Sequence, residues 1–178
     1  MKTRILFLLL ALIVVIPCFL AQSNTQFMYG MGAVTQSTRV GKDTAFIEEK
    51  FDRQNTLVLL VPKENVGKEA ELCDALSDIP HVTSVVAFAT AVGAEIPAEF
   101  VPQEAVEQFY SENYTRIILY TDTPDEGAEA FATVQSVSDT AANYYDTHYL
   151  TGQSATLNDM KNVVSTDTRL VNIVAILG

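Results

Sequence analysis

The sequence predicts an α/β (α+β) domain made of two β-α-β units, preceded by one apolar membrane segment. Strand-like runs near 55–61, 81–90, 114–121 and 146–151 are separated by stretches whose apolar residues recur every three to four positions. Residues 5–21 form an unbroken run without a charged or amide side chain. Lys2 and Arg4 precede that run, and all 22 acids follow it.

A helix over 5–21 would span roughly 25 Å, at the lower end of what crosses a bilayer. Its basic flank assigns the N-terminal end to the cytoplasm and the acidic remainder to the far side. A cleaved signal peptide, ending at the small-x-small site Ala21-Gln22-Ser23, fits the same run. A lipoprotein signal at Cys18 is disfavoured by Pro17, which stands where a small residue is usual. The other end of the chain favours the anchor. From Leu170 to Gly178 only Asn172 has a polar side chain, and the sequence stops inside the apolar run. Residues 169–178 are therefore expected to begin a second, truncated membrane helix.

Between these ends, residues 22–54 are read as a linker with a short helix over 43–51, where Ile47 and Phe51 lie one turn apart. Leu57-Val-Leu-Leu-Val61 is expected to be a buried strand beginning near Asn55 and ended by Pro62. Leu72, Leu76 and Ile79 define a helix over 68–79, stopped by Pro80. Residues 81–90 form the second strand. Pro97 and Pro102 lead to a helix with Val106, Phe109 and Tyr110 on one side, and a third strand covers 114–121. Thr123-Pro124-Asp125-Glu126 reads as a capping box with proline at the first helical position. The helix it opens carries Phe131, Val134, Val137, Ala141 and Tyr144 in one stripe. A fourth strand over 146–151 is broken by Gly152, and Thr156 with Asp159 is read as the cap of a last helix. Two such units side by side imply a ferredoxin-like split β-α-β domain over 55–168, its sheet covered by helices on one face.

The formal charge of −11 repels phosphate backbones, so nucleic acid is excluded as a partner, and tight docking on anionic headgroups is disfavoured. The two cysteines, Cys18 and Cys73, fall in the apolar run and in a helix, so no disulfide is expected between them. No catalytic, cofactor-binding or metal-ligating residue is assigned. His81 and His148 lack a second ligand at metal spacing. No phosphate-binding glycine loop occurs, and Gly152-Gln-Ser154 lacks the second glycine of a nucleophile elbow. The pairs Glu48/Glu49 and Asp125/Glu126 and the acids of 64–78 are read as solvated helix faces and caps. Asn113-Tyr-Thr115 is a glycosylation sequon. Tyr144 to Tyr149 is aromatic enough to line a groove, but the simpler reading has Tyr144 and Tyr149 capping the core while the others face water.

Five stretches together resemble one family: Ile16-Pro-Cys-Phe-Leu-Ala-Gln-Ser23, Val92-Gly-Ala-Glu-Ile-Pro97, Tyr120-Thr-Asp-Thr-Pro-Asp-Glu-Gly127, Tyr149-Leu-Thr-Gly-Gln-Ser154, and Asp159-Met-Lys to Asp167 followed by Val171-Asn172. Their order and spacing are similar to the resistance-nodulation-division (RND) exporters, specifically the MMPL branch. The resemblance implies one porter-type domain on the extracytoplasmic side of the cell membrane, flanked by membrane helices, from the second half of such a protein. Met1 would then be an internal or truncated start. It implies as partners the bilayer, the remaining transporter helices and a lipid or other hydrophobic small molecule. Members of the family couple export to proton entry through acids within membrane helices; neither apolar segment here has one. The alternative is a secreted or single-pass anchored binding protein with a ferredoxin-like domain. An enzyme would need convergent polar groups that the sequence does not display.

Overall fold

Alternation along the first strand sets the sheet. Asn55, Leu57, Leu59 and Val61 are buried, while the residues between them reach the opposite face. The computed structural model describes residues 37–177, together with 13, 14 and 17. Apart from those three positions, the anchor expected over 1–21 lies outside the described residues, as does the linker before residue 37.

The described α-helices and strands are α1 (Arg39–Phe51), β1 (Asn55–Pro62), α2 (Val66–Ser77), β2 (Val82–Val86), α3 (Gln103–Val106), β3 (Tyr114–Thr121), α4 (Ala128–Tyr144), β4 (Tyr149–Gly152) and α5 (Gln153–Leu177), with a π-helical turn at Ala89–Gly93 and a 3-10 turn at Ala98–Phe100 between β2 and α3. The four strands form one sheet in the order β2-β3-β1-β4, with every neighbouring pair antiparallel. β1 and β2 thus run parallel with β3 between them, and β3 and β4 run parallel with β1 between them. Helices α2 and α4 make the two crossovers.

Leu57, Leu59, Val61, Ile117 and Leu119 pack on Leu72, Cys73 and Leu76 of α2 and on Val134, Val137 and Ala141 of α4. Each of the large side chains contributes about 1.5–3 kcal/mol on burial. The opposite sheet face carries apolar residues that are partly buried (Val58, Leu60, Ile118, Val86), with the exposed Tyr149 beside them. Val58 pairs with Ile118, Ile118 with Val86, and Leu60 with Tyr149 across the strands.

Several boundaries differ from the sequence reading. β2 stops at Val86 instead of running to Thr90. The Thr90 hydroxyl lies within hydrogen-bond reach of the Val85 and Ala87 carbonyls and accepts from the Ala87 N–H, which folds the chain into a turn that buries Phe88. The helix expected through Val106, Phe109 and Tyr110 is a single turn ending at Val106, and Tyr110 instead bridges Thr115 beside β3. α4 begins at Ala128, not at the capping box. Thr123 is buried with its hydroxyl on that of Thr121, 3.0 Å away, and the Pro124 and Asp125 carbonyls accept long-range bonds. Gly127, at φ 132°, then precedes the helix. α5 starts at Gln153, directly after β4, so Thr156 is not its cap; it lies in the first turn and donates to the Gly152 carbonyl. α1 begins earlier than expected because Thr38 caps it, accepting from Gly41 N–H at 3.1 Å. Its apolar residues Val40, Phe46, Ile47 and Phe51 are exposed.

Candidate functional site

β4 is an edge strand, and α5 turns back beside it through Gly152. Between them lies a groove of about 390 Å³, lined chiefly by Leu150, Ala155, Met160, Val163 and Val164, with Asp159 as its one charged side chain. Met160, Val163 and Val164 are exposed on the α5 side. Positions 160, 163 and 164 share one helix face, so the groove follows from placing apolar residues at helical spacing next to a short edge strand. Such a surface can hold an aliphatic or aromatic molecule by area burial. It has no convergent acid, base and nucleophile for bond-making chemistry.

A second cleft, of about 230 Å³, lies between α4 and α5 and is mostly polar, with Gln135, Ser138, His148, Asn158, Asp159 and Asn162 among its lining. His148 Nε2 is 2.9 Å from Ser138 Oγ, and its Nδ1 is buried with no hydrogen-bond partner. His148 immediately precedes β4 instead of lying inside a strand. His81 lies in the turn before β2 at φ 72°, its Nδ1 2.9 Å from Asp122 Oδ1. The two histidines are on different elements, and among the described residues no three potential metal ligands gather.

The aromatic cluster distributes differently from the expectation. Tyr145 is the buried member, Tyr144 packs partly on the core, and Tyr149 is exposed on the outer sheet face against Tyr114, with ring centroids 5.9 Å apart. Gly152-Gln-Ser154 is structural. Ser154 Oγ accepts from Asn55 Nδ2 at 2.5 Å and lies 2.6 Å from the Asp125 carbonyl, which ties α5 to β1 and to the loop before α4. Among the acids, Glu48 pairs with Arg53 and Glu64 with Lys68 near the surface. Asn113 is exposed and its carbonyl accepts from the Lys63 N–H.

Glu69 is the residue the sequence reading placed wrongly. Its place among the acids of 64–78 reads as part of a solvated helix face, yet it is only 3% exposed. Its Oε1 accepts from the Ala89 N–H at 2.9 Å and its Oε2 from the Tyr110 hydroxyl at 2.8 Å. The signal was present: Glu69 stands three, four and seven residues before Leu72, Cys73 and Leu76, on the buried stripe of α2. Lys63 lies over the Tyr110 ring and Lys68 over the Tyr145 ring, with Nζ 5.0 and 4.2 Å from the ring centres.

This cluster makes stability sensitive to alkali. Burial, with Glu69 and Asp74 adding, pushes the Cys73 thiol from 9.0 up to about 12. Burial likewise raises Tyr145 from 10.0 to about 12, reinforced by Glu64 and Glu69. Tyr110 is raised by burial and by donating to Glu69. Each group keeps its proton more firmly in the folded chain than in the unfolded one. Their contribution is therefore fully present below about pH 9 and declines toward pH 12, as the unfolded state ionises first. Urea midpoints are expected to be level with respect to these groups from pH 7 to 9 and to fall above it. Cys73 is expected to resist maleimide at neutral pH until the protein unfolds.

No protein-family model matches the chain, and no curated protein matches it.

Proposed function

We propose that the chain is one segment of an RND/MMPL-type membrane exporter. Its ferredoxin-like split β-α-β domain is the extracytoplasmic, porter-type part that contributes to a path for lipid or other hydrophobic small molecules. The single observation that carries this reading is the apolar groove beside β4 and α5. The strand order β2-β3-β1-β4 supports the ferredoxin-like assignment. The outer sheet row of Val58, Ile118 and Val86 offers a face on which the other half of a transporter could pack. In this reading residues 1–21 and 169–178 belong to membrane helices. Among the described residues no helix is long and apolar enough to cross a membrane. The domain binds and guides its cargo, and the ion-coupling step belongs to the remaining helices.

The test has two arms. A lipophilic naphthylamine dye is expected to brighten on the full chain, with affinity roughly tenfold weaker in Val163→Asp, because a charge in the groove costs well over 1 kcal/mol. Unchanged dye binding in that variant would sink the cargo path. In cells, Asn65→Cys is expected to react with an impermeant maleimide from the outside. Labelling only after the cytoplasm is opened would overturn the location.

A further inference from the structure

We propose that the connection from β2 to β3, residues 87–113, is a docking surface for a protein partner that presents an apolar helix face rimmed by lysine or arginine. Antiparallel neighbours need a turn of only about two to five residues, so a connection of this length is an addition to the sheet. It is not loose chain. Ala89 near one end and Tyr110 near the other bond the same buried carboxylate of Glu69, and Phe88 stacks on Tyr110 with ring centroids 4.9 Å apart. The stretch between them is held in place before any partner arrives, which lowers the ordering cost of binding.

The surface that this frame displays is aromatic and acidic. Phe100 is 80% exposed and Ile96 44%. Glu95, Glu99, Glu104, Glu107 and Glu112 are exposed along the same connection, which has no lysine or arginine of its own; the basic side chains that touch it, Lys63 on the Tyr110 ring and Arg116 on the Gln108 carbonyl, lie toward its Tyr110 end. A solvated phenylalanine on a stretch rich in exposed carboxylates has the make-up of an anchor side chain with a polar rim. Charge complementarity selects a basic partner and steers its approach. The same carboxylates repel anionic lipid headgroups, so the occupant is a protein and not the bilayer surface.

The chain contains no tryptophan, so Phe100→Trp supplies a single emission reporter in the full-length protein. The probe is a synthetic amphipathic helix of alternating leucine and lysine faces, with a leucine–glutamate helix and zwitterionic phosphatidylcholine vesicles as comparisons. A saturable blue shift is expected with the lysine peptide alone. Binding is expected to weaken roughly tenfold when Glu99→Lys and Glu104→Lys are added, and by a similar factor, read calorimetrically, in Phe100→Ser. Circular dichroism confirms that each variant is folded. No blue shift in folded protein, equal affinity in the charge-reversed variant, or full affinity in Phe100→Ser would each overturn the proposal. So would a blue shift with the vesicles, which would make the occupant a membrane.

Discussion

Replacing Glu69 with alanine is expected to lower the unfolding free energy by roughly 2–5 kcal/mol, because it strands two buried donors at once. The Ala89 N–H and the Tyr110 hydroxyl each have a Glu69 oxygen as acceptor, at 2.9 and 2.8 Å. A buried donor left unsatisfied costs about 1–3 kcal/mol, and the vacated volume adds a cavity cost. Glu69→Gln keeps one acceptor oxygen and the shape, so a smaller loss of about 1–2 kcal/mol is expected. Tyr110→Phe removes one donor without stranding the other and is expected to fall in the same range. Urea unfolding of the three variants beside Glu71→Ala, an exposed position on the same helix, makes the comparison. If Glu69→Ala behaves like Glu71→Ala, the carboxylate does not hold the β2–β3 connection.

Gly152→Ala is expected to be comparably damaging, at about 2–5 kcal/mol, for a reason that lies in the backbone. Gly152 closes β4 at φ 140°, where side-chain-bearing residues are strained. A Cβ there would sit 2.6 Å from the Thr56 carbonyl oxygen and 3.2 Å from Leu57 Cα. Neither atom can swing aside without parting β4 from β1, since Gly152 pairs directly with Leu57. Amide exchange should report this as lost protection along β4 while β3 stays protected. Protection and stability within about 0.5 kcal/mol of the parent would mean that β4 does not pair in this register.

Much of the fold was legible because periodicity records burial. β1 and β3 fall where their apolar runs lie, and the stripe of Val134, Val137 and Ala141 faces the core as its spacing requires. The misreadings share a cause: local signals whose groups are used by distant parts of the chain. Thr123-Pro124-Asp125-Glu126 has the composition of a cap, but its hydroxyl and carbonyls bond to Thr121, Asn55 and Ser154. Thr90 sits in a strand-like run, yet its hydroxyl captures the backbone that would have continued the ladder. Glu69 was masked by its charge; spacing would have found it, composition could not. The groove was only half readable. The apolar positions Leu157, Met160, Val163 and Val164 follow helical spacing, but which of them a neighbour would cover depends on where β4 ends. Leu157 is buried, and Met160, Val163 and Val164 line the groove.

The two outer strands have a consequence for crowding. β4 has four residues, and β2 has five with its register broken between Val82 and Ser84. A foreign strand seeking to extend the sheet meets a ladder too short to repay ordering on one side and an interrupted one on the other. Among the described strands, fibre-like stacking of one copy on the next is discouraged at both margins of the sheet.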